Sequence, residues 1–205
     1  MKALILAGKS NFSTVFPTVL GESLLSQYLR QLKDFDVYVN VLESQKHLVN
    51  IAEEKLIVEK ELRGNFYPIL QFIKKFGEEF ICIHYDIFTN LDFNKFVRQI
   101  KRKENEQFVA ILVTKNIGRP HAFGILTFDK NKTALSLTRR RYVNCGIYYF
   151  KPEIANYCPQ GEKIDLDLDV FPLLIEQRKL GVYTFNGLWY DIGDGSKIEK
   201  IRGKK

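Results

Sequence analysis

FICIHYDIFTNLD, residues 80–92, is the stretch whose reading decides the fold. Its first four residues, Phe80-Ile81-Cys82-Ile83, form a short apolar run of the kind found in a buried strand. His84-Tyr85-Asp86 follows, so Asp86 falls where a parallel strand gives way to a loop. In open α/β sheets, ligands bind just beyond the carboxyl ends of the strands. A carboxylate at such a place suits Mg²⁺, which takes one or two carboxylates and leaves its other positions to phosphate and water. The same aspartate could equally cap the next turn.

Working outward from this strand, the first hundred residues alternate strand and helix. Residues 2–7 are an apolar strand ending at Gly8, and the loop 9–20 carries Pro17. A strand, a glycine-containing loop and a helix can hold a phosphate on backbone N–H groups. Residues 24–32 place Leu25, Leu29 and Leu32 on one helical face. DVYVNVL, residues 36–42, alternates as a strand does. A short helix is expected over 43–52 and a third strand over 56–58. Asn65 is the expected cap of a helix reaching Phe76, with Pro68 in its first turn. Asp92 is the expected cap of another helix, running to about Lys103. This rhythm predicts an α/β fold with three layers, a mostly parallel sheet flanked by helices.

Beyond residue 105 the rhythm changes. Strands are expected over 108–114, 123–128 and 142–150 with only turns between them, so the sheet is mixed. Asp129-Lys130-Asn131-Lys132 reads as a hairpin turn. A helix with acids at its start is expected within 165–178, then a strand over 180–185 and an extended piece over 189–193. A last helix is expected to begin near Ser196. No repeat or linker interrupts the 205 residues, which predicts a single domain over 1–205.

Composition narrows the function classes. A hydrophobic content of 45% suffices for a core at this length. No apolar run approaches the roughly eighteen residues of a membrane helix. Residues 1–6 do not read as a signal peptide, so a cytoplasmic protein without a membrane partner is expected. The three cysteines, Cys82, Cys145 and Cys158, suggest neither a disulfide framework nor a zinc site. The net charge of +7 suits an anionic small molecule as well as nucleic acid. The basic residues are scattered without a recognition-module signature, which argues against a nucleic-acid partner.

The pieces together resemble the sugar-phosphate nucleotidylyltransferases, which make nucleotide sugars from a nucleoside triphosphate and a sugar 1-phosphate. KALILAG, residues 2–8, resembles the family's opening strand and the first glycine of its signature loop. VEKELRG, residues 58–64, is similar to the segment ending at the glycine that approaches the base. Residues 80–92 resemble the strand whose terminal Asp binds metal, with Tyr85-Asp86 where the family usually has Gly-Asp. Ala122-Phe123-Gly124-Ile125 resembles the Tyr-Gly element near the sugar. VNCGIYYF, residues 143–150, is close to Asn-x-Gly-Ile-Tyr, and residues 169–193 resemble the run from Asp-x-x-Pro to Trp-x-Asp-Ile-Gly.

The resemblance implies a Rossmann-like nucleotidyltransferase fold, related to the glycosyltransferase-A fold, and a Mg²⁺-dependent enzyme. It implies Asp86 and Asp191 as metal ligands and catalytic groups, with Lys9 as a catalytic cation. Leu6, Ala7, Gly8, Lys9 and Gly64 would bind the nucleotide, and Gly124, Arg139, Arg140 and Asn144 the sugar phosphate. It leaves room for a homo-oligomer. Taken alone, Asp191 could be an ordinary turn residue.

The departures carry expectations of their own. The family's loop is Gly-Gly-x-Gly-Thr-Arg-Leu, followed by Pro-Lys. Here GKSNFSTVFPTVL, residues 8–20, lacks the glycine series and the Arg, and Thr18 stands where the Lys would be. Arg139-Arg140-Arg141 either replaces a missing phosphate-binding Lys or guards an exposed hairpin edge. Two rivals follow: a non-catalytic homologue that binds nucleotide or nucleotide sugar, and a glycosyltransferase with a metal-binding Asp-x-Asp. DLDLD, residues 165–169, would supply that pair, or would simply cap a helix.

Overall fold

The computed structural model describes residues 1–8, 17–116, 126–137 and 142–193. The chain opens with β1 (Lys2–Leu6), a small hairpin of β2 (Thr18–Val19) and β3 (Glu22–Ser23), and helix α1 (Leu24–Gln31). Ser23 caps α1, its hydroxyl accepting from the Ser26 N–H at 3.2 Å. Then come β4 (Asp36–Leu42), β5 (Leu56–Glu59), α2 (Tyr67–Phe76), β6 (Phe80–His84), β7 (Ile87–Thr89) and α3 (Phe93–Ile100). Asp92 caps α3 as expected, accepting from the Lys95 N–H at 2.8 Å.

The second half contributes β8 (Ala110–Asn116), the hairpin β9 (Leu126–Phe128) and β10 (Ala134–Leu137), and β11 (Tyr142–Phe150). Helix α4 (Phe171–Glu176), β12 (Leu180–Thr184) and β13 (Trp189–Asp191) follow. The expected last helix near Ser196 and the start of the strand expected over 123–128 lie outside the described residues.

Seven strands form one sheet in the order β12-β8-β11-β6-β1-β4-β5. β11 runs antiparallel to both of its neighbours, while every other pairing is parallel. The mostly parallel, mixed sheet is therefore observed. β1 has β4 on one side and β6 on the other. The strand order reverses there, and such switch points leave a crevice at the strands' carboxyl ends.

The period of two along β1 builds the three layers. Ala3, Ile5 and Ala7 pack in a core with Tyr28 of α1 and Phe93 and Phe96 of α3. Leu4 and Leu6 pack on the other face with Ile69 and Phe72 of α2 and Phe171 and Leu174 of α4. Cys82 and Cys145 are core residues with fully buried side chains.

Three local expectations are corrected. Residues 43–52 do not form an α-helix; Glu43–Leu48 and Glu53–Lys55 are separate 3₁₀ turns. Asn65 does not cap α2, whose N-cap is Phe66. Asn65 Oδ1 instead accepts from the Leu166 N–H at 2.7 Å, a contact across the fold. The helix over 165–178 is divided, with a π turn over Leu166–Val170 leading into α4.

Candidate active site

Gly8 and Asp86 both stand two residues past the paired ends of adjacent strands, Leu6 and His84. The Tyr85 N–H donates to the Leu6 carbonyl at 3.0 Å, so the two chains stay together past the sheet. Asp86 is thus held at the switch point, as its place in the sequence predicts. The turn that carries it is fastened from α1. The buried Tyr28 hydroxyl bonds the His84 carbonyl at 3.0 Å and the Ile87 carbonyl, and accepts from the Ile87 N–H at 3.2 Å.

Asp191 reaches the same place from the far end of the chain. β13 pairs antiparallel with β7, with Asp191 opposite Ile87. The Ile192 N–H donates to the Asp86 carbonyl at 2.8 Å. Around Gly193 the carboxylates converge. An ideal Cβ on Gly193 would lie 2.6 Å from Asp86 Oδ2 and 3.4 Å from Asp191 Oδ1. The two oxygens are therefore no farther apart than those distances combined, about 6 Å. The Gly193 N–H also donates to Asp191 Oδ1 at 3.0 Å.

β11 supplies the seat for β13. Its register shifts between Asn144 and Tyr148, and Gly146 takes φ of +67°, the left-handed region that favours glycine. A Cβ there would press on the Ile87 side chain at 3.1 Å and on His84 Cβ at 3.4 Å. The Trp189 indole N–H donates to the Cys145 carbonyl beside this bulge at 2.8 Å. The Asn-x-Gly-Ile-Tyr and Trp-x-Asp-Ile-Gly stretches are thus joined by one buried hydrogen bond.

Asn144 is half-buried and committed to protein partners. Its amide nitrogen donates to the Tyr148 hydroxyl at 3.0 Å and to Asp167 Oδ1 at 2.9 Å. Its oxygen accepts from the Gly146 N–H at 3.0 Å. Tyr148 in turn lies 3.4 Å from His84 Nε2. A polar chain thus runs from Asp167 to the strand end that presents Asp86. Burial raises the Asp167 carboxyl above the usual carboxylate range, while nearby His84 and the Asn144 amide pull it back.

Sequence reasoning missed Asp167. The DLDLD run reads as capping, and that holds for two of its three acids. Asp165 accepts from the N–H groups of Asp167 and Leu168, at 2.8 and 3.2 Å, and Asp169 from the Asp165 N–H at 2.7 Å. Asp167 turns to Asn144 instead. Among the described residues, no group of three or more His, Cys, Asp or Glu side chains is placed to hold a metal.

The remaining candidates divide. The Ala7 N–H donates to the Asn40 carbonyl at 3.1 Å and the Gly8 N–H to Asn40 Oδ1 at 3.2 Å, so both amides are already paired. Leu6 is buried in the α2-side core. Gly64 has φ of +86°, and a Cβ there would meet the Ile164 carbonyl oxygen at 2.0 Å. Protein backbone makes the close approach that requires this glycine. Thr18 is exposed on β2. Lys9, Gly124, Arg139, Arg140 and Arg141 lie outside the described residues.

Comparison with known proteins agrees with this architecture. The chain is 29% identical over 203 residues to a Sulfolobus acidocaldarius protein named for mannose-1-phosphate guanyltransferase, covering 85% of this chain and 52% of that one. It is 29% identical over 142 residues to the UTP–glucose-1-phosphate uridylyltransferase of Synechocystis, covering 63% and 36%. The chain thus spans about half, or less, of the length of these curated relatives. HddC from Yersinia pseudotuberculosis superposes with a TM-score of 0.78 at 18% identity, covering 100% of this chain and 99% of that one. The same protein complexed with GMP-PN gives 0.76 at 19%, covering 99% and 98%. The model of the family described as nucleotidyl transferase matches residues 18–204, and the chain belongs to that family.

Proposed function

We propose that the chain transfers a nucleoside monophosphate from a nucleoside triphosphate to a sugar 1-phosphate, releasing pyrophosphate. One observation carries this reading: the Asp86 and Asp191 carboxylates converge at Gly193, beside the switch point of the sheet. The family and the names of the relatives supply the substrate classes. Those names include both guanylyl and uridylyl transfer.

The two carboxylates fit Mg²⁺, which accepts one or two such ligands and shares its remaining positions with phosphate and water. A Mg²⁺ ion held by Asp86 and Asp191 would neutralise charge developing on the phosphates. The protein's own part is to position the reactants, because phosphoryl transfer asks little covalent chemistry of side chains. Tyr28 and the β7–β13 ladder fix the two carboxylates in place. The Asp167–Asn144–Tyr148 chain orders the neighbouring rim.

Turnover is expected to be slow. Removing one preorganised charge partner at such a centre costs about 10²–10³-fold in rate. The loop has no Arg, and Thr18 stands in the Lys position. Pyrophosphate release from the wild type, measured across triphosphates and sugar 1-phosphates with Mg²⁺, tests the reading. Release that needs both substrates and the metal supports it. Absence of both release and Mg²⁺-dependent nucleotide binding rejects it.

A further inference from the structure

β13 carries Asp191 but stands outside the seven-stranded sheet, in a two-stranded sheet with β7. Their ladder holds three residue pairs, Trp189 with Thr89, Tyr190 with Phe88 and Asp191 with Ile87. So short a ladder is marginal by itself in water. Its register matters all the same. Side chains alternate across a strand, so a slip of one residue would turn Asp191 away from Asp86.

The chain reaches β13 by a short link. Residues 185–188 leave β12, at the edge of the sheet, and pass β8 to the β11 bulge where the Trp189 indole is held. On the way, the Lys115 ammonium on β8 donates to the Gly187 carbonyl. The link ends in a clasp at Leu188. The Asn90 N–H donates to the Leu188 carbonyl at 3.2 Å, and the Leu188 N–H donates to Asn90 Oδ1 at 2.7 Å. Two residues of a hydrogen-bonded antiparallel pair exchange two such bonds. Asn90 completes the exchange with its side-chain oxygen in place of a backbone carbonyl, one position beyond the ladder. The buried Thr89 hydroxyl also donates to the Leu188 carbonyl, at 3.0 Å. Gly187 leaves the room: a Cβ there would lie 2.4 Å from Asn90 Oδ1. Asn90 and Leu188 are both exposed. Water can serve the Leu188 N–H at such a place, so the Asn90 side chain contributes little to stability. What it fixes is which residue of β13 stands opposite Ile87.

We propose that Asn90 is a positioning residue for Asp191, setting the register of β13 so that this carboxylate meets that of Asp86. The role in metal binding rests on the nucleotidyl-transfer reading above. β13 is then held at both ends, by Asn90 at Leu188 and by the Asp86 carbonyl, which accepts from the Ile192 N–H at 2.8 Å. Asp191 lies between the two. Asn90 acts through the backbone of β13, and Asp191 is the group that meets the ion.

Two measurements on the full chain test this, for wild type, Asn90→Ala and Asn90→Asp. The first is amide hydrogen exchange of the free protein, and the second is calorimetric titration with GTP and UTP, with and without Mg²⁺. Asn90→Ala should speed exchange of the Ile192 N–H, at the far end of β13, about tenfold. It should weaken the Mg²⁺-dependent affinity about three- to tenfold and leave the affinity without metal unchanged. Asn90→Asp keeps the acceptor oxygen and should restore both values to within about twofold of wild type. Ile192 exchange that does not change, Mg²⁺-dependent affinity that stays at the wild-type level, or equal weakening with and without metal would overturn the proposal. So would a failure of Asn90→Asp to restore them. If neither triphosphate binds wild type in Mg²⁺, the transferase reading falls and the metal role of Asn90 with it, while Ile192 exchange still decides whether Asn90 sets the register.

Discussion

At the scale of single residues, the site is made by side chains that lie close together and by a glycine that leaves them room. Gly193 has no Cβ, and one placed there would fall 2.6 Å from Asp86 Oδ2. Gly193→Ala should therefore displace the Asp86 carboxylate and weaken Mg²⁺-dependent nucleotide binding about tenfold or more, with little change in melting temperature because the residue is exposed. Titration calorimetry beside a thermal melt checks both halves. Glu59 gives a prediction about stability. Its folded pKa is raised above the ordinary glutamate value of 4.5, so the folded state favours the protonated form. The stability this contributes is full below pH 4.5 and is lost as pH rises through the folded pKa. Without nucleotide, Glu59→Gln should melt higher than wild type near pH 8, and the gap should close toward pH 4. A variant less stable than wild type across that range would contradict this account of Glu59.

Among elements, the contacts that matter join distant parts of the chain. Helix α1 reaches the Asp86 turn through Tyr28, and β13 reaches it through its ladder with β7 and the Ile192 N–H, while Trp189 ties β13 to β11. Tyr28→Phe would leave the buried Ile87 N–H without its acceptor, a loss of about 1–3 kcal/mol. It should lower the melting temperature and also weaken Mg²⁺-dependent nucleotide binding, since the turn it fastens carries Asp86. A lower melting temperature with unchanged affinity would mean that Tyr28 is scaffold only. The hairpin of β2 and β3 carries the other element-scale prediction. Thr18 lies exposed at its start. Thr18→Lys should raise the rate of pyrophosphate release, because it restores the cation that the family places there. No gain would show that this chain neutralises its phosphates by another route.

Across the whole molecule, what the sequence discloses is what depends on local pattern. The buried strands at 2–6, 36–42 and 80–84 and the Asp92 cap are readable because short apolar runs and capping side chains act within a few residues. The Asp86–Asp191 pair is readable because both sit at strand ends and both match family motifs. Partners far away in the chain are harder to see. Asn65 has the right chemistry to cap α2, yet it satisfies Leu166, 101 residues on. Asp167 sits among acids that explain themselves as caps, so only the fold shows that it faces Asn144. Glu59 lies within VEKELRG, but its significance comes from burial and an unpaired oxygen, which no local pattern records.

On the proposed function, Asp86 and Asp191 together hold one Mg²⁺ ion on a bound triphosphate. A double-mutant cycle tests it directly. Nucleotide affinity is measured with and without Mg²⁺ for wild type, Asp86→Asn, Asp191→Asn and the double variant, using GTP. Ligands of one ion act as a unit, so their effects should not add. The account predicts that either substitution removes most of the Mg²⁺-dependent affinity and that the second costs little more. Mg²⁺-dependent binding that survives both substitutions, or losses that simply add, would contradict it.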